Sequence, residues 1–300
     1  AVEAGMRIVA GQGFIDFKPP DAEELRRKAA AAESFIAKWG PRAPMVTPSL
    51  FCHSAYTCDP ETLRTVKRVA DAAGVPFMMH LSETKDEVDI IRSRYGARPV
   101  HHLRSLGLLG GKCAIVHGVW LEDDEMDILA ESGTGLCHCP ESNMKLASGI
   151  APVPELLARG VAVGLGTDGS ASNNDLDMLL ELDTMAKLHK VATMNPTAMD
   201  AETALRIATT GGALVLGLQD HVGSVEPGKR ADLIVIDLRR PHLTPLYHPF
   251  SQVVYACRGG DVRDSIIDGK VVMRNRELLT LDVRKIMDDV REIADRVKRG

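Results

Sequence analysis

The run Phe77-Met78-Met79-His80-Leu81-Ser82-Glu83 is short and apolar, and it ends in an imidazole followed three residues later by a carboxylate. A strand of that size with polar groups at its carboxyl end suits a parallel β/α architecture, whose strand ends share one rim where active sites are assembled. Two further runs share the design. Cys113-Ala114-Ile115-Val116-His117-Gly118 ends in a second imidazole, and Val161–Gly166 runs into Thr167-Asp168-Gly169, an acid framed by glycines. Further strand-like runs stand at Arg7–Ala10, Pro44–Leu50 and Gly135–Cys139, and helix signals lie between them. Asp21 precedes Glu24 as a capping box, and Asp59-Pro60 sets an acceptor before a proline at the first helical position. Lys85–Tyr95, Asn174 to Lys190 and Asp200 to Thr209 also read as helices. This alternation predicts an α/β fold, a (β/α)8 TIM-type barrel. Six strands fall short of eight, so the first strands are expected to be missing from this chain.

After Gly212 the texture turns hairpin-like. Ala231–Asp237, Val253–Arg258, Ser265–Asp268 and Lys270–Met273 read as strands, the last pair flanking Gly269. The expected organisation is a barrel over 1–212, a small β-sandwich portion over 213–275, and a helix over 276–300 that packs back on the body. Asp282 caps that helix, and Val283, Ile286, Val290, Ile293 and Val297 share one face. The chain opens in what reads as the tail of a helix closed by Gly5.

A 300-residue chain with 45% hydrophobic residues can bury a sizeable core. Its formal net charge of −5, with both signs interspersed and 4% aromatic residues, offers neither a basic stripe nor stacking platforms, which argues against a nucleic-acid partner. The longest apolar runs are strand-sized, which argues against a membrane span. Six cysteines are too few for a disulfide scaffold and point to a reducing cytoplasm.

Imidazole and carboxylate are ligand types that suit zinc or ferrous iron, and a carboxylate beside a metal-activated water can take its proton. Three successive strand ends of that kind suggest one site. HLSE at His80–Glu83, HG at His117-Gly118, PESNMKLASGIAPV at Pro140–Val153 and GTDGSASNN at Gly166–Asn174 together resemble the amidohydrolase superfamily. Within it, the sequence is most similar to the methylthioadenosine/S-adenosylhomocysteine deaminase group. HSAYTC at His53–Cys58 and EPGKRADLIVID at Glu226–Asp237 extend the similarity over most of the chain.

The resemblance implies that His80 and Asp168 are metal ligands, with His117 at the metal's edge orienting the attacking water. It implies that Asp168 accepts the water's proton, that Glu83 protonates the purine ring nitrogen, and that His53 meets the ribose. Gln12 stands where some members carry an arginine for the substrate's far end, which makes it a candidate substrate contact. The implied cofactor is one Zn2+ per subunit, with Fe2+ as the alternative, and the implied partner is a small nucleoside. A homo-oligomer is a further expectation. The family's first strand ends in an HxH pair, whereas here only the adjacent His101-His102 occurs, within the helix-like Pro99–Leu106. Two rivals follow, a hydrolase of triazines or another cyclic amidine and a non-catalytic barrel module. Cys137-His138-Cys139 reads as strand alternation rather than a zinc knuckle, because no second pair stands at ligand spacing. His189, His221, His242 and His248 read as solvated or locally bonded side chains.

Overall fold

The computed structural model describes residues 1–299. Six parallel strands form one sheet in chain order: β1 (Ile8–Phe14), β2 (Val46–Ser54), β3 (Phe77–Leu81), β4 (Cys113–His117), β5 (Gly135–His138) and β6 (Val163–Leu165). All six correspond to the runs expected from sequence. The register carries Leu50 to Phe77 and Phe77 to Cys113, so every second side chain shares a face. Leu50, Cys52, Phe77, Met79, Leu81, Ile115 and Leu136 are buried and form the core with residues of the surrounding helices. Phe51, Met78 and His80 alternate with them and are half-buried. Among the described residues the sheet does not close. Ile8, on β1, is 36% exposed at its free edge.

The helices start where capping chemistry places them. Asp21 accepts from the amides of Glu23 and Glu24 to open Ala22–Trp39, and Asp59 accepts from Glu61 to open Pro60–Ala73. Four helices not singled out from sequence, Asp123–Ser132, Pro140–Lys145, Val153–Ala158 and Ser170–Asn173, complete the connections. The chain's first residues form a hydrogen-bonded turn (Gly5 N to Val2 O, 3.1 Å) rather than the end of a helix.

Four strands make a second, antiparallel sheet in the order β10-β9-β8-β7, comprising β7 (Leu233–Ile236), β8 (Val262–Ile267), β9 (Lys270–Arg274) and β10 (Glu277–Leu278). It is a single sheet, and no second layer to complete a sandwich is found among the described residues. A buried-edge ion pair fastens it to the body, with Arg7 donating to both carboxylate oxygens of Asp232 at 2.5 and 2.9 Å.

Three expectations need correction. Val253–Arg258 is not a strand, because Pro249–Tyr255 is a helix. Pro249 takes the first helical turn, His248 Nδ1 accepts from Ser251 N, and Val254 is fully buried. The boundary at Gly212 falls inside a continuous helical stretch that runs from Ala201 through a π turn at Ile207–Gly211 to Val215. The terminal helix Val283–Arg299 does form, but none of its residues is buried, so its apolar face does not pack on the body.

Candidate active site

The carboxyl ends of β3, β4 and β6 converge. One nitrogen each from His80 and His117 and one oxygen of Asp168 all lie within 4.8 Å of one another. By strict alternation His117, the register partner of Leu81, would face the helices. Its left-handed backbone (φ +75°) turns the ring back, and it stacks on His80 with centroids 5.3 Å apart. Asp168 (φ +62°) and Ser82 (φ +53°) are also left-handed, so each strand end that forms the cluster carries a non-glycine residue in a region costing about 1 kcal/mol or more. Gly118 is left-handed at φ +55°, and a Cβ there would lie 2.4 Å from Leu136 Cδ1, so any side chain would strain the backbone and displace Leu136. The HG pair is therefore a packing requirement as well as a chemical one.

Hydrogen bonds aim the two rings. His80 Nδ1 donates to the carbonyl of His53 at 2.7 Å, and His117 Nδ1 donates to Asn143 Oδ1 at 2.9 Å. Both bonds assign the proton to Nδ1 and leave Nε2 with its lone pair, the arrangement a metal-binding imidazole needs. Burial, reinforced by the neighbouring His117, pushes the His80 pKa down to about 4, so the ring is neutral near pH 7. Asp168 is held below the usual carboxylate range. Burial pushes it up, but donation from Ser142 Oγ (2.8 Å) and Gly169 N (2.7 Å), together with His117, outweighs that. Two imidazole nitrogens and one carboxylate oxygen are a donor set that fits zinc, whose catalytic sites use three protein ligands and keep a fourth position open.

Glu83 adjoins the cluster, with its Oε2 3.6 Å from His117 Nε2. His53 lies on the other side, its ring 5.1 Å from that of His80 and its Nδ1 anchored at 2.8 Å by Thr57 Oγ1. Gln12 does not join them. Its register partner is Leu50, which puts it on the helix-facing side of the sheet, and its amide turns to the carbonyl of Gly13.

A family model for the amidohydrolase family matches residues 1–272. The chain belongs to the amidohydrolase family. A 5-methylthioadenosine/S-adenosylhomocysteine deaminase of Syntrophobacter fumaroxidans is 49% identical to this amidohydrolase over 295 residues, which are 98% of this chain and 67% of that protein. The crystal structure of an adenosine deaminase from Xanthomonas campestris with bound zinc superposes with a TM-score of 0.93 at 37% identity, covering all of this chain and 68% of that one. Atrazine chlorohydrolase of Arthrobacter aurescens TC1, complexed with zinc, matches with a TM-score of 0.89 over 96% of this chain and 66% of that one; at 24% identity it speaks for the fold alone. The chain spans about two thirds of the length of these relatives.

Several residues of this amidohydrolase that position the site escaped the sequence reading. Ser142 and Asn143 lie in the quoted PESN run, but only the folded helix Pro140–Lys145 brings them to Asp168 and His117. Glu181, fully buried, accepts from Asn173 Nδ2 at 2.6 Å, and the same amide donates to the carbonyl of Thr167, next to Asp168. Burial pushes the Glu181 pKa up to about 7. His189, expected to be solvated or locally bonded, is buried and lies 3.3 Å from His138, nitrogen to nitrogen, 51 positions away in the chain. Cys137 and Cys139 flank Gly166 and take no part in the ligand cluster, in keeping with strand alternation.

Proposed function

We propose that this chain carries the catalytic rim of a metal-dependent aminohydrolase that converts a 6-aminopurine nucleoside to its 6-oxo form with release of ammonia. The convergence of His80, His117 and Asp168, with Glu83 beside His117, is the observation that carries this reading. The names of the relatives support 5′-methylthioadenosine, S-adenosylhomocysteine or adenosine as the substrate. Hydrolysis at the amine-bearing carbon adds water and expels ammonia, so it needs an activated water, a proton for the ring nitrogen and a proton for the leaving amine.

His80, His117 and Asp168 would hold one Zn2+ per subunit, with Fe2+ as the alternative. When bound, the ion supplies a water acidic enough to react at neutral pH. Asp168 accepts the proton released by the attacking water and passes one to the departing amine. Glu83 holds the proton given to the ring nitrogen. His117, fixed by Asn143, orients the attacking water, and His53, fixed by Thr57, is placed to meet the ribose. The cysteines are all free, which supports a reducing cytoplasm as the compartment. No described helix is long and apolar enough to cross a membrane.

The test is ammonia release from the three nucleosides and from an aminotriazine, with zinc added and with zinc removed by a chelator. Zinc-dependent release from a nucleoside is expected. Release from the triazine alone would replace this reading with its nearest rival, and a protein that neither binds zinc nor turns over any of them would be a binding module.

A further inference from the structure

Glu87 lies outside every role assigned so far, yet it is only 3% exposed. It stands on the first turn of the helix Lys85–Tyr95, whose N-cap is Thr84. Thr84-Lys85-Asp86-Glu87 has the sequence of a capping box, in which the glutamate ordinarily reaches back to the amide of the N-cap residue. The first half of the box is present, with Glu87 N donating to Thr84 Oγ1 at 3.1 Å. The second half is displaced. The carboxylate reaches past Thr84, so that Oε1 accepts from Ser82 N at 3.0 Å and Oε2 accepts from Glu83 N at 2.8 Å. A second box in this fold behaves as the sequence rule says, since Glu125 accepts from the amide of its own N-cap, Glu122.

The displacement matters because of what the two amides belong to. Ser82 is the left-handed residue (φ +53°) that ends β3, and Glu83 follows it with its carboxylate 3.6 Å from His117 Nε2. A left-handed serine has other conformations available at lower energy, and it persists only where its surroundings over-determine it. Ser82 Oγ is buried without a hydrogen-bond partner, so the side chain supplies no such restraint. Glu87 supplies it through the amides on both sides of Ser82, beside Val119 N and Trp120 N, which both donate to the Ser82 carbonyl at 2.9 Å. The cost is visible, because burial pushes the Glu87 pKa up to about 7. A carboxylate kept dry beside a second carboxylate is an expensive helix cap, and a threonine already caps this helix.

We propose that Glu87 is a positioning residue for Glu83, whose two oxygens lock the Ser82–Glu83 turn so that the Glu83 carboxylate faces the ligand cluster. The inference rests on the deaminase reading for its catalytic readout but not for its structural one. Glu87→Gln keeps the shape and one acceptor while turning an NH2 group toward the other amide. Thr84→Ala removes the ordinary cap and leaves the carboxylate in place. In Glu87→Gln, kcat for nucleoside deamination is expected to fall about 10²-fold, the cost typical of a displaced catalytic group. KM should stay within about twofold and zinc content should be unchanged, while hydrogen exchange at the amides of Ser82 and Glu83 accelerates. Thr84→Ala should lower the melting temperature with kcat retained. Parental kcat in a folded Glu87→Gln protein, or equal loss of kcat in both variants, overturns the proposal. If Glu87→Gln fails to fold, Glu87→Asp, which keeps the charge and shortens the reach, must show the same kcat loss. If the unaltered protein releases no ammonia, the deaminase reading fails, and amide exchange alone decides. Undiminished protection of Ser82 and Glu83 in Glu87→Gln then overturns the clamp.

Discussion

At the scale of single residues, the site divides into groups that meet the reacting atoms and groups that aim them. Glu83 and Asn143 represent the two kinds. Glu83→Gln removes the proton-transferring carboxyl group and none of the ligands, so turnover is expected to fall by about 10²–10⁴-fold while zinc content stays at the parental level. Stoichiometric metal analysis beside a single-turnover assay checks this, and undiminished turnover would take Glu83 out of the reaction. Asn143→Ala acts at one remove. It deprives His117 Nδ1 of its acceptor, so the ring loses both its tautomer and its orientation. Zinc affinity is expected to fall about 10- to 100-fold, measured by competition with a chromophoric chelator. His80, His117, Glu83 and Asp168 were legible in the sequence because each ends an apolar run. Asn143, Ser142, Glu181 and Glu87 were not, because their roles depend on hydrogen bonds reaching across 26, 26, 8 and 5 positions of the chain, which apolar spacing does not reveal.

At the scale of elements, β6 and the helical stretch Ala201–Val215 meet through glycines on both sides. A Cβ at Gly211 would lie 2.3 Å from the carbonyl of Val163, and one at Gly164 would lie 3.0 Å from the Cα of Gly212. Neither neighbour is a flexible side-chain tip, so Gly211→Ala must push the helix off the strand. A loss of about 1–3 kcal/mol is expected, read from the urea midpoint. An unchanged midpoint would mean that the contact is looser than described. Strand positions were legible because each run is apolar and bounded by turn residues. Val253–Tyr255 misled for the same reason. Its β-branched pair resembles a strand locally, and what decides for a helix is Pro249 at the start and a buried place for Val254 against the body, the second of which lies beyond the segment itself.

At the scale of the whole molecule, buried titratable groups set opposing pH slopes. Glu87 and Glu181 are raised from 4.5 to about 7, mainly by burial. The stability they allow is complete below about pH 4.5 and is lost as pH rises through 7. His189 is lowered from 6.5 to about 4 by burial, and His138 is lowered too, by burial and by His189. Their contribution is complete above about pH 6.5 and is lost as pH falls. Each group can contribute a slope of up to about 1.4 kcal/mol per pH unit. His80 is lowered to about 4 as well, so three imidazoles oppose two glutamates between about pH 4.5 and 6.5, and the urea midpoint of the metal-free protein should rise only weakly there and fall between about pH 6.5 and 7. A midpoint that climbs steadily from pH 5 to 8 would show that the two glutamates ionise at no cost. The barrel-type sheet and the terminal helix were legible, but the exposure of that helix was not, because an apolar stripe declares a face without naming what covers it. The sheet's register has a last consequence, in time rather than in energy. Ile8 must find Val46 across one intervening helix and Phe77 must find Cys113 across two, so no strand of the parallel sheet can zip onto its neighbour directly as in a hairpin. Assembly therefore waits on distant encounters, and newly made chains pass through a slow stage with sticky, unmatched strands on view to one another.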